Sequence, residues 1–256
     1  MFAEFLKKDN FYYNYIKHYA TRMASTNVKM EEIAKTKKEQ TINIYENIIS
    51  FIKLIDQNKE ITPFDLIEVA DNINKTQGIT KGFRKIQVDI KKADFFPIAP
   101  YMVPQAVYSL FDNYNNTWKD LNVYEREALF HINLVRIQPF EDGNKRTARI
   151  ITNYNLVKQN RAPIIIEKEE LDEYWNYINN YDVEGFTNFL KNKSQKEFKE
   201  MIYVYEKTCT SSLVYSKKDD KSFLEVARKI LKNFYHLFLN IPNLKYTFFH
   251  THISFL

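Results

Sequence analysis

Apolar residues recur every three or four positions along most of the chain, which is the spacing of a helix with one buried face. Four side chains keep this spacing near residue 45: Ile42, Tyr45, Ile49 and Ile52. Further on, Thr62-Pro63 followed by Asp65 predicts a helix start, because proline is favoured in the first turn and a carboxylate complements the helix dipole there. The pattern therefore predicts a mainly helical protein.

The middle of the chain repeats the helical pattern. Further helices are predicted to open at Pro104, to pass through residues 128–135, and to span about 145–158 and 171–178. Past about Lys191 the chain becomes more charged, and helical spacing returns between Phe223 and Leu239. We therefore expect three parts, namely an N-terminal helical region at 1–80, a core domain at 81–190 and a C-terminal helical extension at 191–256.

One segment has the two-residue period of a β-strand instead. Its apolar residues Ile86, Val88 and Ile90 alternate with polar ones, after Gly82 and before Pro97. This pattern predicts a short two-stranded hairpin, which has to lie on the helical body because two strands alone are not stable in water. The predicted fold class is an all-α helical bundle with a short β-hairpin flap.

Composition and charge narrow the functional classes. The single cysteine, Cys209, leaves no internal disulfide and fits a reducing compartment. No apolar run of about 18 residues occurs, so no membrane-spanning helix is predicted, and no signal-peptide pattern opens the chain; we expect a cytoplasmic protein. The net charge is +5, but the basic residues are spread along the chain, which does not favour nucleic-acid binding.

The segment from Gln138 to Arg149 carries the clearest chemistry. A helix ends before Pro139, and a turn containing Gly143 leads into a new helix. A helix N terminus preceded by a glycine turn offers N–H donors and a positive dipole end to an anion. Arg146 and Arg149 lie three residues apart, on roughly one helix face. These features predict a polyanion site, with a loop of merely solvated charges as the alternative.

The run QPFEDGNKRTAR at 138–149 resembles the signature of the Fic (filamentation induced by cAMP) family, His-Pro-Phe-x-Asp/Glu-Gly-Asn-Gly/Lys-Arg-x-x-Arg. The resemblance extends from about Lys81 to Leu190. Within it, Gly82-Phe83-Arg84 and the alternating residues up to Ile90 are similar to the flap that pins the target segment. The resemblance implies the helical Fic fold, with Gly82–Ile90 as the flap that binds a target protein.

The resemblance also implies a reaction, namely AMP transfer from ATP to a Ser, Thr or Tyr hydroxyl of a protein (AMPylation). Asp142 would bind Mg²⁺, and Phe140 would plug into the core and hold the loop. The implied nucleotide-binding residues are Gly143, Asn144, Lys145, Arg146 and Arg149. Of these, Gly143, Asn144 and Arg146 would cradle the α- and β-phosphates, and Arg149 would reach the terminal phosphate.

Gln138 stands where the family has its catalytic histidine, which takes the proton from the attacking hydroxyl. A carboxamide can hydrogen-bond a hydroxyl but cannot accept its proton near neutral pH. Losing a general base costs on the order of 10²–10⁴-fold in rate, whereas nucleotide binding need not suffer. We therefore expect an impaired adenylyltransferase with an intact phosphate site; the alternative is a catalytically inactive nucleotide-binding protein that regulates a partner. His131 is expected to be a satisfied core residue rather than a substitute base.

Two further departures concern the transferred group and regulation. Lys145 replaces the commoner second glycine, as in the Doc relatives that transfer the terminal phosphate, but those relatives lack the glycine corresponding to Gly143. The transferred group therefore stays open. Many Fic proteins carry an inhibitory helix reading Ser/Thr-x-x-x-Glu-Gly/Asn, and residues 19–32 resemble its surroundings, with Ala24 at the position of the glutamate.

Overall fold

The computed structural model describes residues 10–30, 37–55 and 59–215. Their α-helices, in chain order, are α1 (Asn10–Met30), α2 (Lys37–Ile55), α3 (Pro63–Asn74), α4 (Val103–Asp112), α5 (Val123–Ile137), α6 (Asn144–Lys158), α7 (Leu171–Asn180) and α8 (Val183–Tyr215). Short 3₁₀ turns precede α4 and α7, and a π-turn follows α4. The predicted mainly helical class is confirmed.

The start of α3 shows how local sequence sets a helix boundary. The Thr62 hydroxyl accepts a hydrogen bond from Asp65 N at 3.3 Å, and the Asp65 carboxylate accepts one from Thr62 N at 2.9 Å. This reciprocal capping box satisfies two main-chain donors that the helix itself leaves unpaired. Pro63 occupies the first turn, so the predicted helix start is confirmed.

Helices α5 and α6 form an antiparallel hairpin whose closing loop carries the motif. Three polar cross-links run along it, each joining one residue of α5 or its C-cap to one of α6. They are Asn155 Nδ2 to Glu127 Oε2 at 3.1 Å, His131 Nδ1 to Thr152 Oγ1 at 3.0 Å, and Asn144 Nδ2 to Gln138 Oε1 at 2.9 Å. Helices α3 and α2 pack on α6, and α1 packs on α2, so the hairpin lies at the centre of the helical body.

The predicted β-hairpin flap is not found, because no strand occurs among the described residues. The segment consists of bends and irregular chain and turns at Ile90–Ala93, where Ala93 N donates to Ile90 O at 3.3 Å. Side chains join its two arms: Gln87 Nε2 donates to Pro97 O at 3.1 Å, and Arg84 bonds to Ile98 O. Side-chain donors thus occupy carbonyls that a β-ladder would use. The predicted flap was Gly82–Ile90; from here on the name flap covers residues 82–98, so that it includes both arms.

By contacts the chain divides into two compact units, Met1–Thr208 and Cys209–Leu256. Of the second unit the structure describes only the end of α8. The predicted helical segment 223–239 lies outside the described residues, and the three-part division at residues 80 and 190 stays a prediction. None of the described helices combines the length and apolar character that a membrane crossing needs.

Candidate functional site

Gln138 ends α5 in the left-handed conformation, with φ 50°. Its carboxamide is used at both ends, because Nε2 donates to Val135 O at 2.7 Å and Oε1 accepts from Asn144 Nδ2 at 2.9 Å. The residue is only 7% exposed, yet it lines a cavity between the motif loop and the flap. A helix terminus leaves carbonyls without a partner inside the helix, and this side chain satisfies one of them.

Asn144 braces the loop from the other side. Its Oδ1 accepts from Phe140 N at 2.9 Å, and its Nδ2 donates to Phe140 O at 2.8 Å as well as to Gln138. Phe140 is buried and packs on the ring of Phe83, with centroids 5.9 Å apart. The Asn144 side chain therefore builds the loop, which leaves its main-chain N–H as the group that can face a ligand.

Gly143 precedes α6 with φ 81°, and no side chain caps the helix there. A Cβ at this position would stand 2.9 Å from Asn74 Nδ2. That nitrogen donates to Asp142 O at 2.8 Å, so the end of α3 supports the turn. Sequence reasoning missed Asn74, which lies far from the motif along the chain. The result is an open helix N terminus, whose first N–H groups and dipole favour an anion.

Asp142 and Arg146 form an ion pair beside this helix end. Arg146 Nη2 lies 2.9 Å from Asp142 Oδ2; the arginine is buried, whereas the aspartate side chain is 50% exposed. A half-exposed carboxylate suits Mg²⁺, which binds through one or two carboxylates together with phosphate oxygens. Among the described residues no group of three acidic, His or Cys side chains could hold a metal ion by itself.

These groups surround a cavity of about 250 Å³. One wall is the motif, with Gln138 and residues 141–146, and the facing wall is formed by flap residues 88–91. Lys145 belongs to the first wall, and its ammonium lies 5.2 Å from the ring centroid of Trp175 on α7. The structure thus brings the predicted residues from Gln138 to Arg146 together around one space.

Arg149 is not among the residues that line this cavity. It is 2% exposed, and its Nε donates to Asn27 Oδ1 at 2.5 Å. Asn27 lies on α1 and is fixed in turn by its own bond to Met23 O at 2.6 Å. Asn27 lies three residues after Ala24, the residue at the position of the inhibitory glutamate, and sequence reasoning missed it. The sequence signal was a polar residue within a buried stretch of α1.

His131 is fully buried in the core, as expected. Its ring nitrogens lie 3.0 Å from Thr152 Oγ1 and 2.9 Å from Tyr174 OH. Burial, with a smaller contribution from the nearby Arg149 charge, lowers the pKa of His131 to about 3, so the ring is neutral at pH 7. Both nitrogens are occupied, and the ring cannot serve the cavity as a base.

Comparison with known sequences gives a consistent result. Residues 60–156 match the family model described as Fic/DOC family. A protein adenylyltransferase Fic of Nematostella vectensis is 32% identical over 148 residues, covering 54% of this chain and 33% of that protein. A probable protein adenylyltransferase of Aquifex aeolicus is 30% identical over 105 residues, covering 41% and 32%. The chain thus spans about a third of the length of these curated relatives.

Solved structures support the fold. A Fic-domain-containing signaling protein from Bacteroides thetaiotaomicron superposes with a TM-score of 0.69 at 17% identity, over 80% of this chain and 94% of that chain. Fic-1 from C. elegans gives a TM-score of 0.66 at 16% identity, over 79% and 69%. At such identities the likeness concerns the fold alone.

Proposed function

We propose that the cavity binds ATP and that the protein transfers AMP to a Ser, Thr or Tyr hydroxyl of another protein, because residues 60–156 match the Fic/DOC family model. The curated relatives named above are protein adenylyltransferases, which supports AMP as the transferred group. One observation carries the proposal: Gly143, Asp142 and Arg146 converge on a cavity at an uncapped helix N terminus.

The phosphates would lie at the start of α6. The N–H groups of its first turn and the helix dipole would hold oxygens of the α- and β-phosphates. The Arg146 guanidinium would add two-point recognition of a phosphate, and Asp142 would hold Mg²⁺, which neutralises phosphate charge. Arg149 would reach the terminal phosphate only after giving up its bond to Asn27, since its Nε is held by that bond and the residue does not line the cavity.

In the reaction, the target hydroxyl oxygen forms a bond to the α-phosphorus, the bond from that phosphorus to the bridging oxygen breaks, and pyrophosphate leaves. The hydroxyl proton has to go to a base. Gln138 cannot accept it, and its carboxamide is already bonded to Val135 and Asn144. We therefore propose a slow transferase, reduced by on the order of 10²–10⁴-fold.

The second candidate is a nucleotide-binding protein without transferase activity that regulates a partner. The two bonds of the Gln138 carboxamide favour it, because they give this residue a structural task in the loop. Both candidates require the same phosphate site, and they differ only in whether the bound nucleotide reacts.

The experiment is a transfer assay with the full chain, Mg²⁺ and a cell lysate as the source of acceptor proteins. ATP labelled at the α-phosphate is compared with ATP labelled at the γ-phosphate, for the natural protein and for Gln138→His. We expect α-label transfer to rise by about 100-fold or more in Gln138→His, since a general base is restored. Gln138→Asn is the matched control, because it changes the side chain without adding a base.

Each other outcome has a definite meaning. Measurable transfer that is equal in the natural protein and Gln138→His would exclude the inactive alternative. No transfer by either protein, although ATP binds, would contradict the transferase proposal. Transfer of only the γ-label would show phosphate transfer of the Doc type, which Lys145 leaves open.

A further inference from the structure

Arg84 is a buried arginine between the flap and the motif loop, with 2% of its surface exposed. Within the part of the chain that the structure describes, its guanidinium donates only to main-chain carbonyls. These bonds run from Nε to Gln138 O at 2.6 Å, from Nη1 to Ile86 O at 3.0 Å, and from Nη2 to Ile98 O at 2.5 Å and Ile137 O at 3.4 Å. Two of the four acceptors belong to the flap and two to the end of α5 at the motif loop. The Arg84 side chain therefore links the flap to the motif loop.

The main chain of Arg84 adds a fifth link, because its N–H donates to Pro139 O at 2.9 Å. The carbonyls of residues 137–139 are thus all held by this one residue. They lie at the C-terminal end of α5, where carbonyls have no partner within the helix and where a positive charge is favoured by the dipole. Within the described residues no carboxylate pairs with Arg84, and the carbonyls alone compensate its buried charge.

The position of Gln138 depends on this arrangement. Gln138 has a left-handed backbone; its carboxamide oxygen accepts from Asn144, and its main-chain carbonyl accepts from Arg84. Asn144 in turn is the first residue of α6. A rotation of the peptide at Gln138 would therefore disturb both the brace of the loop and the start of the helix that lines the cavity.

We infer that Arg84 is a positioning residue that couples the flap to the phosphate site, so that residues 82–98 and 137–143 open and close as one unit. The consequence for ATP rests on the proposed function, whereas the coupling itself does not. The flap also forms the second wall of the cavity through residues 88–91. Loosening Arg84 would change the site on both sides at once.

Arg84→Lys tests this directly, because lysine keeps the charge but cannot reproduce the planar fork of donors. The matched control is Arg126→Lys at the far end of α5, where Arg126 Nε also donates to a main-chain carbonyl, that of Tyr114, at 3.0 Å. Three quantities are measured for the natural protein and both variants. They are amide hydrogen exchange without nucleotide, ATP affinity by titration, and the free energy of unfolding in urea.

We expect Arg84→Lys to speed amide hydrogen exchange about tenfold or more in both 85–98 and 137–143. A factor of this size corresponds to the loss of one hydrogen bond from a charged donor. ATP affinity should fall by about tenfold for the same reason. Arg126→Lys should lower the free energy of unfolding comparably while leaving both segments and ATP affinity unchanged.

Faster exchange in the flap alone would overturn the inference. The inference would also be overturned if both variants lost ATP affinity in proportion to their loss of unfolding free energy, because Arg84 would then act only on the stability of the protein. If the natural protein does not bind ATP, the proposed function fails while the exchange result still decides the coupling. If Arg84→Lys does not fold, the coupling is tested in the natural protein instead. ATP binding should then slow amide hydrogen exchange at residues 95–99. Unchanged exchange at these residues would also overturn the inference.

Discussion

Polar groups cluster at both ends of the α5–α6 hairpin, and the two ends differ in whether a cavity reaches those groups. At the far end the Glu127 carboxylate accepts hydrogen bonds from three side chains, those of Tyr114 at 2.5 Å, Asn155 at 3.1 Å and Gln159 at 3.4 Å. At the motif end, Asp142 and Arg146 line a cavity beside an uncapped helix N terminus. We call these the closed end and the open end.

Burial and a shifted pKa therefore do not by themselves identify a site. Glu127 has no exposed surface, and burial raises its pKa to about 7 against the opposing effect of its hydrogen bonds. A perturbed carboxyl of this kind often marks a functional site, but both of its oxygens are occupied by neighbours. Arg146 is as deeply buried, yet it belongs to the wall of a cavity. Access for a ligand separates the two ends.

The largest expected effect comes from Gly143→Ala at the open end. The added Cβ would meet the Asn74 carboxamide at 2.9 Å, and the backbone has φ 81°. We expect a loss of about 4 kcal/mol in the free energy of unfolding, from the left-handed conformation and from overpacking together. Urea unfolding measures it. Gly78→Ala is the matched control, because Gly78 has φ 67° with nothing within 4 Å of its Cβ position; equal losses in the two variants would show that Asn74 does not matter.

At the closed end, Glu127→Gln should change how stability depends on pH. Because the folded pKa of about 7 exceeds the ordinary 4.5, the folded state holds the proton more tightly. The contribution of Glu127 is full below pH 4.5 and is lost as pH rises towards 7. This shift in the pKa of Glu127 corresponds to about 3 kcal/mol in the free energy of unfolding. The difference in unfolding free energy between the natural protein and Glu127→Gln, measured across this window, should follow that fall; a flat difference would contradict it.

Sequence reasoning recovers the elements that depend on local pattern. Helical spacing predicted α2 to α7, Thr62 and Asp65 predicted the start of α3, and the turn with Gly143 predicted an anion site whose residues do converge. Contacts between distant segments were beyond it. Asn74 and Asn27 reach the motif from α3 and α1, and nothing local indicates which polar residue of a helix will point there.

The flap shows a second reason why sequence reasoning does not recover the whole structure. Alternating residues predicted a two-stranded hairpin, but they do not say whether main-chain groups pair with another strand or with side chains. Arg84 and Gln87 supply the partners instead. In a sequence, a buried arginine that bonds only to carbonyls has the same appearance as one exposed to solvent.

Arg146→Ala should separate the two ends by ligand binding. ATP affinity should fall by about 30-fold or more, since a hydrogen-bonded charged partner contributes roughly 2 kcal/mol. Arg126→Ala at the closed end removes a guanidinium that lies 3.8 Å above the Tyr114 ring and should leave ATP affinity unchanged. Calorimetric titration measures both. An unchanged affinity in Arg146→Ala would contradict the assignment of the phosphate site.

The smallest expected effect concerns Lys145 and Trp175. Their contact at 5.2 Å is a cation–π interaction at the rim of the open end. A double-mutant cycle of Lys145→Met and Trp175→Leu should give a coupling of about 0.5–1 kcal/mol in the free energy of unfolding. A coupling indistinguishable from zero would show that Lys145 is held by other groups.

The most direct test of the open end as a phosphate site is a titration of the full chain with ATP, ADP, AMP and adenosine in the presence of Mg²⁺. If the start of α6 and Arg146 grip the phosphates, affinity decreases at each step from ATP to adenosine. Equal affinity for ATP and adenosine, or no binding of ATP, would contradict the account.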